Sequence, residues 1–199
     1  MKNFRYCLIA LLLFFLWPDS ILAFEVLNIR KDFGAKGDGR HLDDEAFEKA
    51  ATYINTKGGY CILEIPYGIY RVGQQRIVKG DHHTRHIGGS IFHLINCQQV
   101  TIRSSDKSPS IIRFKDDFYF GTFDEEGHIW QHAMPYTSTE NLSEPGHLFF
   151  FEHCTQIQLE QFILDGNFIK GHVRLGGGFG DQGWQIYHNA VSISGCHSV

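Results

Sequence analysis

Ile91-Phe92-His93-Leu94-Ile95-Asn96-Cys97-Gln98-Gln99-Val100-Thr101-Ile102 is a short strand, a polar corner bearing a cysteine, and the start of a second strand. The form returns at Leu148-Phe149-Phe150-Phe151-Glu152-His153-Cys154-Thr155-Gln156-Ile157-Gln158-Leu159 and again at Ala190-Val191-Ser192-Ile193-Ser194-Gly195-Cys196-His197-Ser198-Val199. Successive side chains of a strand point to opposite faces, so each copy has an apolar face to bury. One supersecondary unit repeated along a chain is the signature of stacked architectures. A β-sandwich would also give short alternating strands. A cysteine at one phase of every repeat is better explained by coils stacked in register, with a small buried side chain at the same corner of each.

The cysteines lie 57 and then 42 residues apart, longer than a bare solenoid coil of roughly 20 to 29 residues. Two coils per interval, or one coil with an insertion, reconciles the numbers. Residues 110–114 and 161–164 read as further strands, giving a cross-section of three short strands joined by corners. Residues 115–147 break the pattern, with Asp116-Asp117, Phe118-Tyr119-Phe120, Trp130, Pro135, Tyr136 and Pro145. They read as one long projecting loop, and loops of that length in compact domains tend to be functional or disordered. The aromatic content argues against disorder.

Upstream, residues 26–29 read as a strand, and Gly34, Gly37 and Gly39 require a loop with permissive backbone. A helix follows, with Phe47, Ala50, Ala51 and Ile54 at helical spacing, Asp43 as its cap and Leu42 stapled against Phe47. Gly58-Gly59 ends it. Residues 60–65 and 69–72 are strands either side of the Pro66-Tyr67-Gly68 turn. This strand-helix-strand order suits an end cap on the stack.

Residues 1–23 have the form of a signal peptide: Lys2 and Arg5, an apolar run from Cys7 to Trp17, then Pro18-Asp19-Ser20-Ile21-Leu22-Ala23. The run is short of the roughly 20 residues that span a bilayer. A retained N-terminal anchor is the competing reading. Cleavage after Ala23 leaves one domain over 24–199, secreted or periplasmic, with no membrane association. Cys61, Cys97, Cys154 and Cys196 could form two disulfides in an oxidising compartment, but the shared repeat phase of Cys97, Cys154 and Cys196 suits free, buried packing. A net charge of −4 gives no basic field for nucleic acid. Abundant glycine and aromatic residues suit a turn-rich β protein.

Asp-Phe-Gly-Ala-x-Gly-Asp-Gly at 32–39, Ala46-Phe47-Glu48-Lys49-Ala50, and Pro66-x-Gly68-x-Tyr70-x-Val72 together resemble the N-terminal module of the pectate lyase superfamily, of the rhamnogalacturonase/epimerase-like type also met on phage tailspikes. The resemblance covers residues 26–72. Ile163-Leu164-Asp165-Gly166-Asn167 is similar to a stretch common in such coils. It implies an all-β fold, the right-handed parallel β-helix, with 26–72 as module and cap and 73–199 as the first coils. The chain reaches Val199 within what reads as a strand, so further coils are expected beyond it.

The resemblance further implies a protein acting on acidic, pectin-like polysaccharide by hydrolysis or β-elimination, with Ca²⁺ as cofactor if it is a lyase. The alternative it allows is a non-catalytic glycan-binding or adhesive solenoid, with homotrimers as in tailspikes. The sequence departs from the family where His41-Leu42-Asp43-Asp44 replaces Thr-Asp-Asp-Thr. It also lacks the Asn-Thr-Asp, Asp-Asp pair and Gly-His-Gly signatures of the polygalacturonase branch, so no catalytic residue carries over.

Cleaving glycosides by hydrolysis takes two carboxyl groups, one acid and one base or nucleophile. Elimination takes a base and a cation that neutralises the uronate carboxylate. Asp165, Asp181 and Asp116-Asp117 are the acidic residues in suggestive places, although Asp-Gly-Asn at 165–167 also reads as a simple turn. In Gly176-Gly177-Gly178-Phe179-Gly180-Asp181-Gln182-Gly183-Trp184 the glycines let a ligand approach the backbone. There Trp184 could stack on a sugar while Asp181 and Gln182 bind hydroxyls, with His188 beside them. A flexible turn with a buried tryptophan is the plainer reading. Asp81-His82-His83-Thr84-Arg85-His86 resembles a metal cluster, but the flanking glycines favour a solvated loop over a ligand-bearing helix. Asn141-Leu142-Ser143 is a glycosylation sequon.

Overall fold

The computed structural model describes residues 24–130, 142–168, 170–177 and 190–199. The protein is mostly β-strand, with one helix among the described residues. Its strands are β1 Glu25–Asn28, β2 Asp38–Leu42, β3 Gly59–Ile65, β4 Ile69–Val72, β5 Gln75–Lys79, β6 Thr84–Gly88, β7 Phe92–Ile95 and β8 Gln98–Ser104. They continue as β9 Ser110–Phe114, β10 Tyr119–Thr122, β11 Leu142–Ser143, β12 Phe149–Glu152, β13 Thr155–Glu160, β14 Phe162–Asp165, β15 Arg174–Leu175 and β16 Val191–Ser194; the helix, α1, is Asp44–Lys57.

Three parallel sheets form the body, in the orders β1-β3-β8-β13, β2-β4-β9-β14 and β7-β12-β16. The chain visits them in one fixed order: β7, β8, β9, and then β12, β13, β14. Phe92 pairs with Phe149 and Val100 with Ile157, both 57 positions on, whereas Ile112 pairs with Leu164, 52 positions on. The five-residue difference is the corner that follows the paired Arg103 and Glu160, which takes residues 104–109 before β9 in one pass and Gln161 alone before β14 in the next. The long cysteine interval therefore holds one pass plus an insertion.

The repeated corner has the same backbone each time. Asn96, His153 and Gly195 precede the cysteines in the left-handed region, at φ of 55°, 51° and 62°, and Gln99, Gln156 and Ser198 follow at 50°, 58° and 58°. Cys97 and Cys154 are fully buried, and all four described cysteines are free. The Cys154 N–H donates to Cys196 Sγ at 3.2 Å, stacking one corner on the next. Burial, with Cys154 beside it, pushes the Cys97 thiol up to about 11. Cys61 stands outside this column, on β3 opposite Val100.

Inward positions fill the interior: Leu63, Ile65 and Ile102 from one sheet, Tyr70, Val72 and Ile112 from the second, Phe92, Leu94, Phe149 and Phe151 from the third, all at 0–1% exposure. Each such side chain contributes about 1.5–3 kcal/mol relative to leaving it in water. The α1 helix closes the free edge of β7. Asn55 stands in for a strand there, donating Nδ2 to the His93 carbonyl and accepting the Ile95 N–H, both at 2.9 Å. The helix buries Phe47, Ala50, Ala51 and Ile54, as expected, and ends at Gly58 with φ 75°.

Two expected helix-start contacts are replaced. The Asp43 side chain does not cap the helix; it is buried and accepts the Lys36 and Gly37 N–H groups, at 2.6 and 3.1 Å. The left-handed turn at Gly37 aims those donors inward, and a Cβ there would lie 2.7 Å from the Tyr70 ring. Leu42 is 44% exposed at the end of β2 rather than stapled against the buried Phe47.

The expected loop over 115–147 is partly β. Its β10 pairs antiparallel with β11 and parallel with β15. Together with the antiparallel β5–β6 hairpin these strands form an annex beside the three sheets. The aromatic residues of the segment account for the departure: Phe118, Phe120 and Phe123 are buried there. The hairpin also replaces the solvated loop expected over 81–86. His86 lies in β6, buried and stacked on Tyr119 at 3.7 Å, while His82 stays at the exposed turn.

Candidate functional site

Alternation along β4, β9 and β14 turns Tyr70, Val72, Ile112 and Phe114 inward and leaves Arg71, Arg113 and Asp165 facing out. Register then sets those three in one row across the sheet, Arg71 opposite Arg113 and Arg113 opposite Asp165. The Arg113 Nε donates to Asp165 Oδ2 at 2.7 Å. Arg71 donates through Nη2 to Asp116 Oδ2 at 3.2 Å and through Nη1 to the Arg40 carbonyl at 3.0 Å.

Asn167 ties the two ion pairs together. It is buried with φ 53°, a conformation asparagine tolerates better than most residues. Its N–H donates to Asp165 Oδ1 at 2.8 Å, and its Nδ2 to Asp116 Oδ1 at 2.7 Å and the Phe114 carbonyl at 3.0 Å. The result is one polar chain, Arg71, Asp116, Asn167, Asp165, Arg113. Beside it lies a shallow cavity of about 360 Å³ bordered by Arg113, Asp165, Asn167, Phe168 and Lys170. Phe168 is 61% exposed at its rim. Two long insertions leave from this place, directly after β9 and β14, and the β5–β6 hairpin leaves after β4 of the same sheet.

The electrostatics follow from these contacts. Burial works to raise the Asp165 pKa, but the Asn167 N–H and the Arg113 guanidinium outweigh it and hold the carboxyl below its ordinary value. Asp165 is therefore ionised at neutral pH and is a weak base. Calcium fits poorly here: it needs six to eight oxygens, and Asp116 and Asp165 already each serve an arginine and Asn167.

The Asp-Gly-Asn segment thus does both things the sequence allowed: it turns the corner and joins the site. Asp116 joins as well. Arg71 and Arg113 were not singled out from sequence, although both sit at outward positions of strands read correctly. Asp181, Gln182, Trp184 and His188 lie outside the described residues, as does Asn141 of the sequon. A further titratable group, Asp124, Glu126 and His128, gathers its ligand atoms within 4.8 Å on one exposed turn, where His82 Nδ1 lies 3.2 Å from Glu125. No helix of the described residues is long and apolar enough to cross a membrane.

Comparison with protein-family models, with curated proteins and with solved structures finds no match to this chain. The functional reading rests on geometry and chemistry.

Proposed function

We propose that the chain is a secreted right-handed parallel β-helix that engages acidic, pectin-like polysaccharide along the outward face of β4, β9 and β14 and cleaves its glycosidic bonds. The observation that carries this reading is the Arg71–Arg113–Asp165 row, set where both insertions emerge. A guanidinium presents a planar fork that matches a carboxylate. Strands in a sheet stand about 4.8 Å apart, so a row of arginines offers repeated sites to a repeated uronate. Lys170 joins Arg113 at the cavity as a second cation.

Of the two cleavage chemistries, β-elimination suits these residues better. Hydrolysis asks for one carboxylic acid that keeps its proton near neutral pH, and Asp165 is shifted the other way. Elimination asks for cations on the uronate carboxylate to acidify the neighbouring C–H, which the arginines supply. The weak basicity of Asp165 favours a second reading, a glycan-binding solenoid that cuts nothing. One set of measurements separates them. Polygalacturonate incubated with the protein gives new ultraviolet absorbance if elimination occurs, reducing ends without absorbance if hydrolysis occurs, and retention alone if the protein only binds. Arg113→Ala should weaken retention about tenfold, as expected for losing one charge-assisted contact. Unchanged retention by Arg113→Ala would remove this face from the proposal.

A further inference from the structure

A groove of about 640 Å³ runs along α1, between the helix and the segment leading into β7. Its character is opposite to that of the arginine row. Asp44, Glu45 and Glu48 line it, and among the described residues no lysine or arginine does. The Asp44 carboxylate is only half satisfied: Oδ1 accepts the Gly73 and Gln74 N–H groups at 2.6 and 3.0 Å, while Oδ2 is buried with no hydrogen-bond partner. Such an oxygen leaves negative potential at the first turn of α1, where the positive end of the helix offsets part of it. Glu45 is partly neutralised by Lys49 at 2.7 Å, whereas Glu48 faces solvent.

The rest of the lining is chosen for hydroxyl groups. Thr52, Asn55, Gln74 and Ser90 offer amide and hydroxyl partners, and His93 forms one wall with its ring stacked on Phe150 at 4.5 Å and 14°. Polar side chains beside a flat ring system suit a sugar, and an acidic wall suits an ammonium group.

We propose that this groove is a second saccharide subsite that selects an ammonium-bearing sugar, a hexosamine unit, while the arginine row on the other sheet selects carboxylated units. The choice of a saccharide over other ammonium compounds rests on the glycan reading above; the charge preference does not.

The test is calorimetric titration of the intact chain with a fully deacetylated glucosamine tetrasaccharide, at a pH where its amines are protonated. Binding should be detectable, at least tenfold weaker for the N-acetylated tetrasaccharide, and about tenfold weaker for Glu48→Gln, which removes one charge-assisted contact at an exposed position that folding does not need. Arg113→Ala should bind the glucosamine oligomer as the parent does. Polygalacturonate titrated into the same two variants gives the converse pattern, so the failure of one site is read apart from failure of the other. Absence of binding by the parent, equal binding of the N-acetylated form, or indifference to Glu48→Gln would overturn the proposal. Displacement of the oligosaccharide by spermidine at equal affinity would overturn its saccharide class.

Discussion

The three parallel sheets and the annex of β5, β6, β10, β11 and β15 are held by different forces. The sheets close on columns of apolar side chains set by register, Phe92 over Phe149 and Ile102 beside Leu63, with the buried hydroxyls of Ser104 and Ser110 bonded to each other at one corner. The annex joins a small aromatic cluster, Phe118, Phe120 and Phe123, to a polar hub at one amide. Gln75 Nε2 donates to the carbonyls of His86, Tyr119 and Glu144, at 3.2, 2.8 and 3.0 Å, and Oε1 accepts the Tyr119 N–H at 2.9 Å. Repetition lets each layer of the stack support the next, so its stability is shared among passes. A polar hub beside a small aromatic cluster gives the annex fewer independent supports than the repeated sheets have.

Breaking the stack should therefore have the largest effect. Phe149→Ala removes a ring that touches Phe92, Phe151 and Phe162 and is expected to cost about 3–5 kcal/mol, read as a global drop in the denaturant midpoint. A loss under about 1 kcal/mol would mean the passes are not stacked as described. Next, Gln75→Leu keeps the volume but leaves the Tyr119 N–H and carbonyl without this partner, while the His86 and Glu144 carbonyls keep the Glu144 and Gly88 N–H groups, at about 1–3 kcal/mol. That loss should appear as faster hydrogen exchange in β5, β6 and β10 with β8 and β9 still protected. Equal acceleration in both regions would show that the annex is not a separate unit.

The smallest effect should come from pH. Burial, then Lys115 and Arg174, depress the His86 pKa below 6.5. The folded annex holds this ring neutral, so the stability it contributes is fully present above the unfolded value of 6.5 and is lost as pH falls toward the depressed folded value. Glu144, raised by burial, works in the opposite direction at lower pH. Protection factors in the annex, taken relative to intrinsic exchange at each pH, should fall between pH 7.5 and 5.5, and His86→Phe should flatten that dependence. An annex equally protected at both pH values would contradict the account.

How much of this could be read beforehand divides along the same line. The stack was legible because its signals are local and repeated: the cysteine corner, the period-two alternation, the helix over Phe47 to Ile54. The annex was not. Its β11 and β15 are two residues each, and their partners lie at Gly121 with Ser143 and Tyr119 with Arg174, across spans that local pattern does not encode. Asp43 misled because an aspartate before a helix is a common cap; only the three-dimensional turn at Gly37 shows its carboxylate facing the preceding loop. The arginine row was half legible. Arg71 and Arg113 sit at outward positions, but their alignment with Asp165 depends on the five-residue shortening of one corner, which sequence spacing alone does not resolve.

The register of the stack carries both the arginine row and the cysteine corner, and a crystal structure of the chain measures it directly. It should place Arg113 opposite Asp165 on parallel neighbours, with the sulfurs of Cys97, Cys154 and Cys196 at one corner of successive passes. A slip of one residue would turn Arg113 and Asp165 into the interior, and that result, or antiparallel neighbours in these sheets, would contradict the account.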